Sequence, residues 1–388
     1  MSGVDLDHVD LERLRARHGA KWSRFPGTLA AFVAEMDFPI APAIRRVLEA
    51  AVEREDFGYP FEPRPEGLPT LFAERMRERF DWVVEPRRVE LLPDVVQGIY
   101  LALSQFSEPG EGAIVQTPIY PPFLRAVRET GRRLVENPLV VGPGGYEIDF
   151  DGLRRAIDPR TRMLLLCNPH NPSGRAFRRD ELETLAEIAE AHDLIVLSDE
   201  IHQDLVFAPA RHLAFASLSP ETEARTVTLT SATKSFNMPG LRCALAVFGS
   251  PELKRRFLGC PRHMRGGMTA LGIEATEAAW REGGAWLAQV LDYLRGNRAL
   301  VDDFLRDELP ELSWVPPEAT YLGWLDCRRL ELERTPAGFF REEAGVALGP
   351  GEDFGLPGEG FARLTFATPR SLLREMLERM AKAVRAHG

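Results

Sequence analysis

Lys234 is the residue of this chain whose type and setting best suit covalent chemistry. Residues 227–240 read VTLTSATKSFNMPG: an apolar run, a cluster of hydroxyls, the lysine, then Asn237, Pro239 and Gly240. A lysine just past a buried strand sits where water is scarce. Its charged form loses solvation, its pKa falls, and the free amine becomes a nucleophile that forms Schiff bases. Only four of the 48 Lys and Arg residues are lysines. Lys254 lies in a polar ELKRR helix, Lys382 in the terminal helix and Lys21 in a charged N-terminal segment, so these three are expected at the surface. Taken alone, S-x-T-K also fits a loop lysine making one hydrogen bond; the other strand ends decide between the two.

Asp199 closes the run LIVLSD, an acid after mostly apolar residues. It fits a turn or helix-cap acid, or a carboxylate facing a cationic ring nitrogen. Such a pair at about 4 Å is worth roughly 4 kcal/mol at an effective dielectric of about 20. NPHNPSG at 168–174 makes a rigid turn after LLLC, and its Asn171 offers an amide to a ring oxygen. Val95, Val96, Gln97 and Gly98 open a helix after a strand, and a helix start has free N–H groups that suit a phosphate. Ser231 and Thr233 offer hydroxyls to the same phosphate, and Arg242 offers charge. Tyr120, in TPIYPPF, packs in the core or stacks on a flat cofactor.

The elements that must position these residues alternate. From Ala113 the chain reads strand AIVQTP, helix PPFLRAVRETG, strand RLVENPL, helix DGLRRAID, strand RMLLLCNP, helix 180–192, then strands LIVLSD, RTVTLTSA and CALAVFG. Apolar strands without alternation are buried on both faces, so a mainly parallel, doubly wound α/β sheet is expected over about 50–280. Such sheets bind ligands at the carboxyl ends of their strands. Upstream, 1–25 is charged and partly helical, 29–40 an apolar turn-rich stretch, 42–55 a helix, FGYP at 57–60 a loop and 66–80 a helix. Downstream come helices near 269–281 and 285–309, a strand near 319–326, a helix from Pro336, a strand FARLTFAT and a last helix from Arg370. The expected division is a large domain at 48–284 and a smaller α+β domain built from 1–47 and 285–388.

Composition narrows the function classes. A net charge of −10 argues against nucleic acid as the main partner. No run approaches the ~18 apolar residues of a membrane span. The N-terminus is charged without an apolar signal core. Cys167, Cys243, Cys260 and Cys327 have no metal-ligand spacing, and Cys167 and Cys243 lie in apolar runs. No metal is expected, and a reducing, cytoplasmic location is.

Together NPHNPSG, SDE and S-x-T-K with an arginine eight residues on resemble the fold-type I pyridoxal 5'-phosphate (PLP) enzymes of the aminotransferase class I/II superfamily, over nearly the whole chain. The resemblance implies that Lys234 carries the cofactor as a Schiff base and Asp199 pairs with the pyridinium nitrogen. Asn171 bonds the ring oxygen O3′ and Tyr120 stacks on the ring. Val96, Gln97, Ser231, Thr233 and Arg242 surround the phosphate. It also implies a homodimer with shared active sites, in which Tyr59 of FGYP reaches the neighbour's phosphate. Arg363, in the apolar FARLTF, matches the arginine that clamps the substrate carboxylate, with Asn171 and Tyr120 beside it. VAEMDFPIAP, FGYP and DEIHQDL look like MalY/PatB-type cystathionine β-lyases, and His202 stands where most aminotransferases carry a tyrosine. The implied activity is carbon–sulfur β-elimination on cystathionine or a related S-substituted cysteine, with class I/II transamination as the alternative. The segment CPRHMRGGMTALG departs from the pattern, lacking an asparagine near Met268.

Overall fold

The structure is a computed structural model and describes residues 4–60, 67–142 and 145–387. Its main sheet has seven strands, in the order Val89–Leu92, Ala244–Phe248, Thr226–Thr230, Ile195–Asp199, Thr161–Cys167, Gly112–Val115 and Arg133–Glu136. The last five in that order run parallel. Ala244–Phe248 is antiparallel to both its neighbours. The reason lies in the connection: the segment after Thr230 holds the Lys234 turns and no crossover helix, and a parallel return needs one.

The unbroken apolar runs behave as two-faced strands. Met163 and Leu165 pack into one core cluster, Leu164 and Leu166 into another. Helix Val95–Phe106 covers the first face with Ile99, Ala102 and Phe106. Helix Arg179–Ala191 covers the second with Leu182, Leu185 and Ile188. The expected α/β layering is therefore present, and its strands end level where chemistry was anticipated.

A second sheet of five strands runs Leu29–Ala31, Val346–Pro350, Phe361–Thr365, Leu322–Asp326 and Ser313–Trp314. The N-terminal stretch joins it directly, since Leu29–Ala31 pairs in parallel with Val346–Ala347–Leu348. The opening of the stretch expected to be turn-rich is thus an edge strand, selected because all three of its residues are buried. Val346–Pro350 is a further unexpected strand, short and closed by proline. The strand expected from about 319 starts at Leu322, and Ala319 makes only an isolated bridge to Val206. The helix expected from 66 begins at Leu68; residue 66 itself lies outside the described residues.

Lys21 corrects the sequence reading most clearly. It is 2% exposed, not a surface charge. Its Nζ lies 2.8 Å from Asp37 Oδ2 and donates to the Glu35 carbonyl at 2.9 Å, while Trp22 Nε1 donates to Asp37 Oδ1 at 2.8 Å. The acid hidden in the apolar AEMDFPI run pulls the lysine inward, because a buried carboxylate requires a paired cation. Lys254 is half-buried against Glu90, and Lys382 is exposed. Among the described residues no helix is long and apolar enough to cross a membrane.

Candidate active site

The strand ends converge. Cys167 pairs with Asp199, and Asp199 with Leu229, so three adjacent strands stop at one level. Ser231 follows the third strand directly, and Lys234 comes three residues later in consecutive turns. Lys234, Asp199, Asn171, His202, Tyr120, Val96, Ser231, Thr233 and Arg242 line one cavity of about 340 Å³.

Its charges are perturbed by burial. The half-buried Lys234 amine is lowered to about 8 by desolvation, helped by the Arg363 charge and opposed by Glu35 and Asp199. Nζ donates to the Ala34 carbonyl at 3.0 Å. Asp199 is pushed up to about 7, chiefly by burial; the Ile201 N–H, donating to Oδ1 at 3.0 Å, pulls the other way. His202 is driven down to about 3 by burial and then by the charges of Lys234 and Arg363, so its imidazole is neutral. Its buried Nδ1 has no partner among the described residues. Arg363 is buried and lowered to about 10 by desolvation. It donates to Asn171 Oδ1 at 3.1 Å and to the Phe32 carbonyl at 2.8 Å, and its Nε is left without a partner among the described residues.

The opposite end of the cavity is a helix start. Asp94 caps it by accepting from the Gln97 N–H at 2.8 Å. Gly98 lets the helix approach the central strands, since a Cβ there would lie 2.9 Å from the Leu229 methyls. Ser231 Oγ donates to the Cys243 carbonyl at 2.6 Å and accepts from the Thr233 N–H at 3.1 Å. Arg242, largely exposed, pairs with Asp94 Oδ2 at 3.0 Å. Three predicted residues do not line this cavity: Arg363, which lines the neighbouring one, and two more. Gln97 turns its side chain to the Met264 carbonyl at 2.8 Å, and Tyr59 is fully exposed.

The sequence reading missed the segment that forms the roof. The carbonyls of Phe32, Val33 and Ala34 are held in turn by Arg363, by Thr365 Oγ1 at 3.0 Å, and by Tyr321 Oη at 3.0 Å with Lys234 Nζ. Asn237 binds the next turn, accepting from the Met36 N–H at 2.8 Å and donating to the Met36 carbonyl at 2.9 Å. Backbone carbonyls carry no side-chain signature. The available signal was Asn237 itself, a polar residue placed just after the lysine.

Comparison with known proteins follows this geometry. The model of the family described as aminotransferase class I and II matches residues 43–380. The chain is 36% identical to the cystathionine β-lyase PatB of Bacillus subtilis, over 92% of each chain. The crystal structure of OvoB superposes with a TM-score of 0.92 at 39% identity, covering 97% of this chain and 98% of that one. Cystalysin from Treponema denticola, whose structure contains pyridoxal 5'-phosphate, superposes with a TM-score of 0.93 at 30% identity over 99% of each.

The cavity suits that cofactor. An amine of lowered pKa, a buried carboxylate with one oxygen committed to the protein, an imidazole nitrogen without a partner and a helix start with hydroxyls beside it match an aldehyde, a ring nitrogen, a ring oxygen and a phosphate.

Proposed function

The chain belongs to the aminotransferase class I and II family, and from that premise we propose that it is a carbon–sulfur β-lyase, cleaving L-cystathionine or a related S-substituted cysteine to a thiol, pyruvate and ammonia. The cofactor is pyridoxal 5'-phosphate. The observation that carries the lyase reading is His202, a neutral, buried imidazole three residues beyond Asp199. The likeness to PatB supports it.

In this reading Lys234 binds the cofactor covalently and Asp199 faces its ring nitrogen. Asn171 and His202 meet the ring oxygen, and Tyr120 lies against the ring. Val96, Ser231, Thr233 and Arg242 hold the phosphate, with Gln97 contributing through the helix start. Bound PLP supplies an electron sink for negative charge at the substrate Cα. The chain's own residues do the rest. Arg363, already bonded to Asn171, takes the substrate α-carboxylate as a planar bidentate pair. Lys234 Nζ, once free, removes the Cα proton, and its lowered pKa keeps enough of the amine neutral to act as a base. The Ala34 carbonyl at 3.0 Å fixes where that nitrogen waits. A thiol's pKa of about 8.5 makes thiolate a workable leaving group from Cβ. Residues 48–284 are taken as the large domain, 1–47 and 285–388 as the small one. The buried free cysteines suit a cytoplasmic setting.

The test is a product assay. Holoenzyme given L-cystathionine without any keto acid is expected to release homocysteine, pyruvate and ammonia over many turnovers. Pyruvate appearing once per site, or turnover that depends on added 2-oxoglutarate, replaces elimination with transamination.

A homodimer with shared sites belongs to the same proposal. Tyr59 is fully exposed beside exposed Phe57, as expected of a loop that completes a neighbour's site. Mixing inactive Tyr59→Ala with inactive Lys234→Ala subunits is expected to restore roughly a quarter of wild-type activity, because random pairing gives one intact site in half the dimers. No recovery despite demonstrated subunit exchange rules out donation across the interface.

A further inference from the structure

We propose that a second cavity, next to the catalytic one, receives the group on the substrate's sulfur and selects substituents that end in a carboxylate. The proposal rests on the lyase reading and specifies its substrate class. The second cavity measures about 210 Å³ and shares the Tyr120 wall with the first. The two also meet across the bond between Asn171, which lines one, and Arg363, which lines the other. A substrate whose α-carboxylate rests on Arg363 therefore sits at the junction, with both cavities within reach of its side chain. Taking about 30 Å³ per water-sized atom, the space fits a substituent of about seven non-hydrogen atoms.

The lining changes character from inside to outside. Phe32, Leu348 and Phe354 make an apolar sleeve suited to methylenes and sulfur. At the rim, Arg24 and Arg341 stand on the same aromatic ring, their guanidinium carbons 5.5 Å and 5.2 Å from the centre of Phe25. Arg24 is exposed and has no ion-pair partner among the described residues. Among the described residues Arg341 pairs only with its exposed neighbour Glu342, at 3.2 Å. Two cations against one ring and lining one cavity, one of them unpaired, make its rim attractive to a planar anion. Asp353 also lines the rim. It offsets one positive charge and provides a partner for an ammonium adjacent to the carboxylate. An apolar arm ending in an amino-acid head group meets every one of these features.

The experiment compares two substrates in two enzymes. L-cystathionine carries the distal carboxylate; S-propyl-L-cysteine carries an apolar substituent without it. Wild-type holoenzyme is expected to favour L-cystathionine in kcat/KM. The double variant Arg24→Gln/Arg341→Gln is expected to lose about tenfold on L-cystathionine, mostly in KM, and to change less than twofold on S-propyl-L-cysteine. The second substrate reports directly that the variant is folded and loaded. The L-cystathionine advantage is also expected to shrink with added salt in wild type, because rim charges are screened. A variant that slows both substrates alike, or leaves L-cystathionine unaffected, overturns the subsite while the lyase reading stands. If neither substrate is eliminated, the lyase reading fails, and dissociation constants from the cofactor's absorbance change still decide the subsite. A tenfold weaker Kd for L-cystathionine alone in the variant supports it, and equal values overturn it.

Discussion

Replacing Lys234 by alanine is expected to lower kcat by ~10,000-fold or more, about 5 kcal/mol of barrier. On the proposed reading the substitution removes two functions from one nitrogen: the covalent anchor of the cofactor and the base that takes the Cα proton. In wild type, borohydride reduction followed by peptide mapping is expected to place the pyridoxyl group on Lys234. Lys21 is tied to Asp37, Lys254 to Glu90, and Lys382 sits on the outer face of the last helix. An adduct on any of those three, or a Lys234→Ala enzyme within a hundredfold of wild type, refutes the assignment. The pH profile checks the base function separately. A neutral amine is required, and burial places the Lys234 pKa at about 8, so kcat is expected to rise with pH through that region and level off above it.

Asp199→Ala is expected to be the next most damaging change. Alone, the buried carboxyl is pushed up to about 7, which means that it needs a cation to hold its charge. On the proposed reading a protonated ring nitrogen would supply that cation and would itself be held protonated; at about 4 Å such an attraction is worth roughly 4 kcal/mol at an effective dielectric of about 20. Alanine leaves the phosphate contacts and Lys234 in place, so the variant should still bind PLP. Its kcat is expected to fall by at least ~100-fold, the equivalent of about 3 kcal/mol. The bound cofactor's absorbance should shift as the ring nitrogen loses its proton. A variant within tenfold of wild type, with an unchanged spectrum, denies Asp199 the role.

The cavity floor was legible because it is written in side chains at the ends of apolar runs. Asp199 after LIVLS and Lys234 after VTLTSAT interrupt hydrophobic patterns, and the structure brings both to one cavity with Asn171 and His202. The main sheet was legible for the same reason, since continuous apolar strands require cover on both faces. The roof was not. Residues 32–34 act through carbonyl oxygens, which every residue has, and the strands that hold them are short. Lys21 was misread because its partner, Asp37, lies sixteen positions away in an apolar run that gave no sign of a buried acid.

The ties on residues 32–34 also bear on how the enzyme is made. Val33 is held by a residue 332 positions further on, and Phe32 by one 331 positions further on. On a ribosome adding about 5–20 residues per second, the N-terminal stretch emerges tens of seconds before its partners exist. Its edge strand has no sheet to join until Val346–Pro350 arrives. Contacts of such sequence separation form late, because the chain must first close a very long loop. The buried surroundings that lower the Lys234 amine are thus among the last parts to assemble. A nascent or truncated chain that lacks its final strands has the lysine without the roof, and its amine is expected to stay nearer the ordinary lysine range.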